Sequence, residues 1–129
     1  MFKIKEARAH CDIPCKIYDP AVIQIAALSV VRILDLINEL DPSSKENQAE
    51  LSRLVIEKEK QANIVKEEVR IIWGDYFKEQ QIEAHPEVHS LVHSIMLQGS
   101  KCKPKIDREN GDINLKSYLE VVDQIDEEI

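Results

Sequence analysis

Apolar residues recur along this chain at spacings of three and four, and nowhere does a run alternate in the manner of a half-buried strand. The first such stretch opens at Asp19-Pro20, a good N-cap followed by a good first helical residue. It runs to about Leu40, ahead of Asp41-Pro42-Ser43-Ser44. Val22, Ile23, Ile25, Ala26, Ala27, Leu28, Val30, Val31, Ile33, Leu34, Leu36, Ile37 and Leu40 cover far more than one stripe of it. A helix apolar on most of its circumference is buried on two sides. In a chain of 129 residues the second side is expected to meet another subunit.

Ser43 or Ser44 can cap a second helix reaching about Phe77, with Leu51, Leu54, Val55, Val65, Val69, Ile72, Trp73 and Tyr76 inward. Its middle, Glu57 to Asn63, is highly charged and reads as solvated. Residues 78–85 read as a connection, and Pro86 as the start of a third helix. That helix carries Val88, Leu91, Val92, Ile95 and Met96 and has Gly99 as its stop. A loop containing Asn110-Gly111 precedes a fourth helix with Leu115, Tyr118, Leu119, Val122, Ile125 and Ile129. The expectation is an all-α protein, an antiparallel four-helix bundle.

Composition changes this picture little. The length suits a single domain with one real core, and 32% charged with 43% hydrophobic residues is ordinary for a globular chain. The formal charge of −7 gives no electrostatic claim on nucleic acid or an anionic membrane. No stretch approaches the roughly 20 uncharged apolar residues of a membrane span. Cys102, alone in a Lys-rich segment, reads as an incidental surface thiol.

One stretch does not fit a bundle at all. His10-Cys11-Asp12-Ile13-Pro14-Cys15-Lys16-Ile17-Tyr18-Asp19-Pro20 packs two thiols, an imidazole, two carboxyls and a phenol into eleven residues. The preceding segment, Met1 to Ala9, ends in a small residue. It is too short and too charged for a secretory signal, so the protein is expected to be cytoplasmic and this leader to be removed by a processing peptidase. Cleavage takes away Lys3, Lys5 and Arg8 but only Glu6, leaving the chain two units more acidic. It also makes His10 the N-terminus.

A metal then meets an unusual donor set. The His10 amine and the Cys11 backbone nitrogen close a five-membered chelate ring, and the same nitrogen with the Cys11 sulfur closes another. The His10 imidazole can fold back to an axial position. Cys15 supplies a second thiolate after a turn through Asp12-Ile13-Pro14. Two nitrogens and two sulfurs in a plane suit Ni(II) or Cu(II) rather than tetrahedral zinc. Such strong donors bring a trivalent nickel state within reach, which favours one-electron redox chemistry.

At these residues the chain resembles the nickel-containing superoxide dismutases, whose hook reads H-C-D-L-P-C-G-V-Y-D-P. The resemblance continues in Trp73-Gly74-Asp75-Tyr76-Phe77-Lys78, in Pro86-Glu87-Val88-His89, and in Tyr118 with Gln124-Ile125-Asp126. It implies a bundle domain over residues 10–129 with a hook at 10–18, assembled as a homohexamer. It implies one nickel ion per chain, held by His10, Cys11 and Cys15, and superoxide as substrate. It further implies that Asp12 hydrogen-bonds within the hook, that Tyr18 screens the open face of the metal, and that Pro14 matches the family's cis-proline. The rival reading is a nickel- or copper-binding or structural helical oligomer without efficient turnover.

The chain departs from the family in three places. Lys16 stands where glycine is common, putting a cation on the hook. Ala26 and Gln61 stand where members carry a glutamate and an arginine that support the axial histidine. Elsewhere, His85, His89 and His93 share a spacing able to take zinc or nickel, but beside Val88, Leu91 and Val92 they read as a solvated face. Trp73 and Tyr76 read as core or interface aromatics.

Overall fold

In the computed structural model, which describes residues 18–126, a carboxylate starts the first helix. Asp19 Oδ1 accepts the N–H of Ala21 at 2.9 Å, and α1 (Ala21–Glu39) begins with the Gln24 N–H donating to the Pro20 carbonyl at 3.1 Å. Ser44, not Ser43, caps α2 (Lys45–Asp75), accepting from the Asn47 N–H at 3.1 Å. Then follow α3 (Glu79–Ala84), α4 (Val88–Cys102) and α5 (Arg108–Asp126).

Two buried clusters fix the topology. Ile23, Ala26 and Ala27 of α1 pack with Val65, Val69 and Ile72 of α2, with Val88, Val92 and Ile95 of α4, and with Tyr118 and Val121 of α5. Val30 and Leu34 of α1 pack with Ala62 of α2 and Cys102 of α4. Numbers rise along α1 and α4 as they fall along α2, and Gly111 of α5 lies against Val31 and Leu34. The helices therefore alternate in direction, as in an up-down-up-down bundle. By length and composition α1 could cross a membrane. Here it is the core helix instead, with eight buried residues from Ile23 to Ile37.

The stretch read as a connection holds α3, a single short helix opened by the Lys78 N–H donating to Gln81 Oε1 at 3.1 Å. The helix after it starts at Val88 rather than Pro86 and runs through Gly99 to Cys102. Gly99 does not stop the helix; its missing side chain leaves room for Lys66, whose Cγ lies 2.8 Å from where a Cβ would stand. Asn110-Gly111 is no turn but part of α5. The side chains of Leu115, Val122 and Ile125, and all of Ile129, fall outside the described residues.

The charged middle of α2 is solvated on one face only, where Glu59, Lys60 and Asn63 are exposed. Ala62 is fully buried and Lys58 is 1% exposed. The Lys58 ammonium donates to the carbonyls of Lys103 and Lys105, both at 2.7 Å, which satisfies backbone groups left open past the end of α4. Burial lowers the Lys58 pKa from its ordinary value. Beside it Cys102 is fully buried rather than a surface thiol, and burial pushes its pKa up to about 11. With Ala62 level with Leu34, the first turns of α2 overhang the bundle. That is why Leu51, Leu54 and Val55 are only half-buried.

Candidate metal centre

Tyr18 and Asp19 form the root of the hook. Tyr18 is half-buried, and its ring meets Tyr76 edge-on with centroids 5.5 Å apart. Tyr76 is held in turn. Its N–H closes α2 by donating to Ile72 O at 2.9 Å, and its ring packs edge-on against the buried Phe77 at 5.1 Å. Such pairs favour this perpendicular geometry because a positive ring edge meets a negative face. The next residues are tied to a different helix. Tyr118 of α5, 1% exposed, donates its hydroxyl to the Pro20 carbonyl at 2.6 Å.

His10, Cys11, Asp12 and Cys15, with Pro14 and Lys16, lie outside the described residues, as do the expected leader, residues 1–9, and the rest of the expected hook up to Ile17. The structure therefore brings together the base on which those residues stand: Tyr18 against the end of α2, and Pro20 against α5. Among the described residues no group of three or more His, Cys, Asp or Glu side chains is placed to hold a metal ion. The donor set legible in the sequence, an amine, an amide and two thiolates, fits nickel by its chemistry.

Ala26 is 1% exposed within the main core cluster. Gln61 is half-buried and donates to Glu57 Oε1 on its own helix at 2.8 Å. Gln61 also lies fifteen residues before Tyr76 on α2, about 22 Å along the axis at 1.5 Å per residue. Within one chain it does not approach the hook root.

The three histidines do not act together. His85 is the half-buried C-cap of α3, while His89 and His93 are exposed on α4. His89 Nδ1 accepts a hydrogen bond from Trp73 Nε1 at 3.0 Å, and the two rings meet edge-on at 5.8 Å. Trp73, 37% exposed, thus lies at the surface between α2 and α4 rather than in the core. Periodicity did not pick out Tyr18–Tyr76 or Tyr118–Pro20. Their signal was the position of Tyr76 and Tyr118 in segments resembling the family.

The model of the nickel-containing superoxide dismutases matches residues 5–128. The chain belongs to that family. The nickel superoxide dismutase of Streptomyces coelicolor is 35% identical over 118 residues, covering 91% of this chain and 85% of the relative. That of Streptomyces seoulensis is 35% identical over 117 residues with the same coverage. A native nickel superoxide dismutase structure superposes with a TM-score of 0.81 at 32% identity, over 92% of this chain and 97% of the other. One with nickel ligation corresponding to the oxidized state gives 0.80 over the same shares, also at 32% identity. The family's helical bundle and its nickel cofactor, one per chain, thus apply to this chain.

Proposed function

We infer that the protein is a superoxide dismutase: two superoxide anions and two protons give dioxygen and hydrogen peroxide. The match to the nickel family over residues 5–128 carries this reading and sets it above the non-catalytic alternative. When bound, nickel supplies the one-electron chemistry, alternating between its trivalent and divalent states.

The chain's own residues bind and shape the site. The His10 amine and imidazole, the Cys11 amide and thiolate, and the Cys15 thiolate are the ligands in this reading. Removal of residues 1–9 by a peptidase is what frees the His10 amine. Asp12 steadies the hook by hydrogen bonding. Tyr18, braced by Tyr76, would screen the approach to a metal held by the hook. Lys16 adds a local cation to a chain of net charge −7, which favours an anionic substrate near the hook. The test is metal analysis with intact mass. One nickel per chain, loss of Met1 to Ala9 and dismutation support the reading, whereas a processed chain that takes up nickel without dismutation sinks it.

The same reading makes the protein a cytoplasmic homo-oligomer, a hexamer by family resemblance. Val22, Ile25 and Leu28 support assembly, being 53%, 66% and 48% exposed on the side of α1 away from the core. The half-buried Leu51, Leu54 and Val55 on the overhang of α2, with Ile56 at 69%, extend the uncovered apolar surface. Light scattering should give a mass several times that of one chain, and Ile25→Glu should reduce it. A monomer at micromolar concentration would end this part of the reading.

A further inference from the structure

Tyr118 does more than fill the core. Its ring is surrounded by the main cluster, and a phenylalanine would supply the same apolar volume there. A buried hydroxyl needs a partner, and this one reaches across from α5 to a carbonyl 98 positions earlier in the chain, at 2.6 Å. That carbonyl already has a donor. Pro20 O accepts the Gln24 N–H at 3.1 Å as the first bond of α1, so the helix does not need a second. The extra bond fixes where the segment entering α1 stands relative to α5.

The neighbouring residues are held just as firmly. Asp19 Oδ1 accepts from Ala21, and Tyr18 rests on Tyr76 at the end of α2. Two different helices therefore pin residues 18–20, immediately after the segment that carries the metal donors. In sequence Tyr18 follows Cys15 by only three residues and Pro20 follows Tyr18 by two, so the pinned residues are those next to the donor segment.

We propose that Tyr118 is a positioning residue for the nickel centre, acting through the Pro20 carbonyl to set where the hook leaves the bundle. The proposal rests on the reading of His10, Cys11 and Cys15 as ligands. Groups that orient ligands typically change metal affinity or activity by about 10–100-fold when removed.

The test uses the processed, nickel-loaded protein and compares Tyr118→Phe with Ile95→Val, a fully buried apolar position in the same cluster that has no hydroxyl to offer Pro20. Tyr118→Phe should lose nickel to a competing chelator about tenfold faster and shift the electron paramagnetic resonance spectrum of trivalent nickel. Ile95→Val should lower the thermal midpoint while keeping the parent's release rate and spectrum. Parental release and spectrum in Tyr118→Phe overturn the proposal, and so does equal acceleration in both variants. Cys11→Ser separates the two levels. If it retains nickel like the parent, the ligand reading falls and this proposal with it. If it loses nickel, an unchanged Tyr118→Phe counts against the positioning role alone.

Discussion

Gly111 of α5 stands so close to Leu34 of α1 that a Cβ on it would lie 2.9 Å from Leu34 Cδ1 and 3.3 Å from Val31 Cγ2. Leu34 is fully buried, packed in one cluster with Val30, Ala62 and Cys102. Gly111→Ala should therefore push α1 and α5 apart. The steric cost, about 1–3 kcal/mol for overpacking, should exceed the helix-propensity gain of about 1 kcal/mol. Gly74, near the end of α2, has nothing within 4 Å of the same added atom. Gly74→Ala should stabilise by about 0.5–1 kcal/mol. Thermal unfolding of the two variants should move in opposite directions.

The alkaline limb of stability should carry the signature of Cys102. Its folded pKa is raised from 9.0 to about 11 by burial, so the folded state keeps a proton that the unfolded chain gives up. That stability is fully present below about pH 9 and is lost as pH rises toward 11. Two units correspond to about 2–3 kcal/mol. Denaturant unfolding of Cys102→Ala should fall less steeply between those pH values than the parent. Identical slopes would show that the thiol does not retain its proton in the fold.

Processing should gate activity. While Ala9 is attached, the His10 nitrogen is an amide and a poor donor, so the first chelate ring cannot form. Full-length chain, verified by intact mass, should bind nickel weakly and show no dismutation. Parental activity in such a preparation would contradict this.

Each hook thiol should be essential to the metal and dispensable to the bundle. Cys11→Ser and Cys15→Ser each remove a soft, strong donor, so the nickel–thiolate absorption and the activity should disappear. Helical circular dichroism should persist, because among the described residues the buried clusters begin at Ile23. Collapse of the helical signal in both variants would make the hook a structural element.

How far the residues alone could be read depended on the range of the interaction. Helices show locally: Asp19-Pro20 and Ser44 start two of them, and the spacing of Val65, Val69 and Ile72 marks a buried face. The donor set is local too, because His10 and Cys11 are adjacent and Cys15 follows four positions later. Lys58 was misread because a buried ammonium and a solvated one look alike until the carbonyls of Lys103 and Lys105 arrive from elsewhere in the chain. Asn110-Gly111 carries a strong turn signal, yet here glycine answers to the nearness of Leu34. Cys102 looks exposed among lysines because its buried neighbours, Val30, Leu34 and Ala62, come from two helices far earlier in the chain.

The Lys58 contact also bears on the order in which the molecule can be made. Both of its acceptor carbonyls lie beyond residue 102, so during synthesis the α1–α2 hairpin exists before either has left the ribosome. Until then an ammonium dehydrated at that position would be unpaired, at a cost of several kcal/mol. Water must stay at the middle of α2 while the first half of the chain waits. Drying of the interior around Ala62 and Leu34 becomes favourable only when the segment after α4 arrives with its carbonyls, so the cluster that joins α1, α2 and Cys102 is completed late.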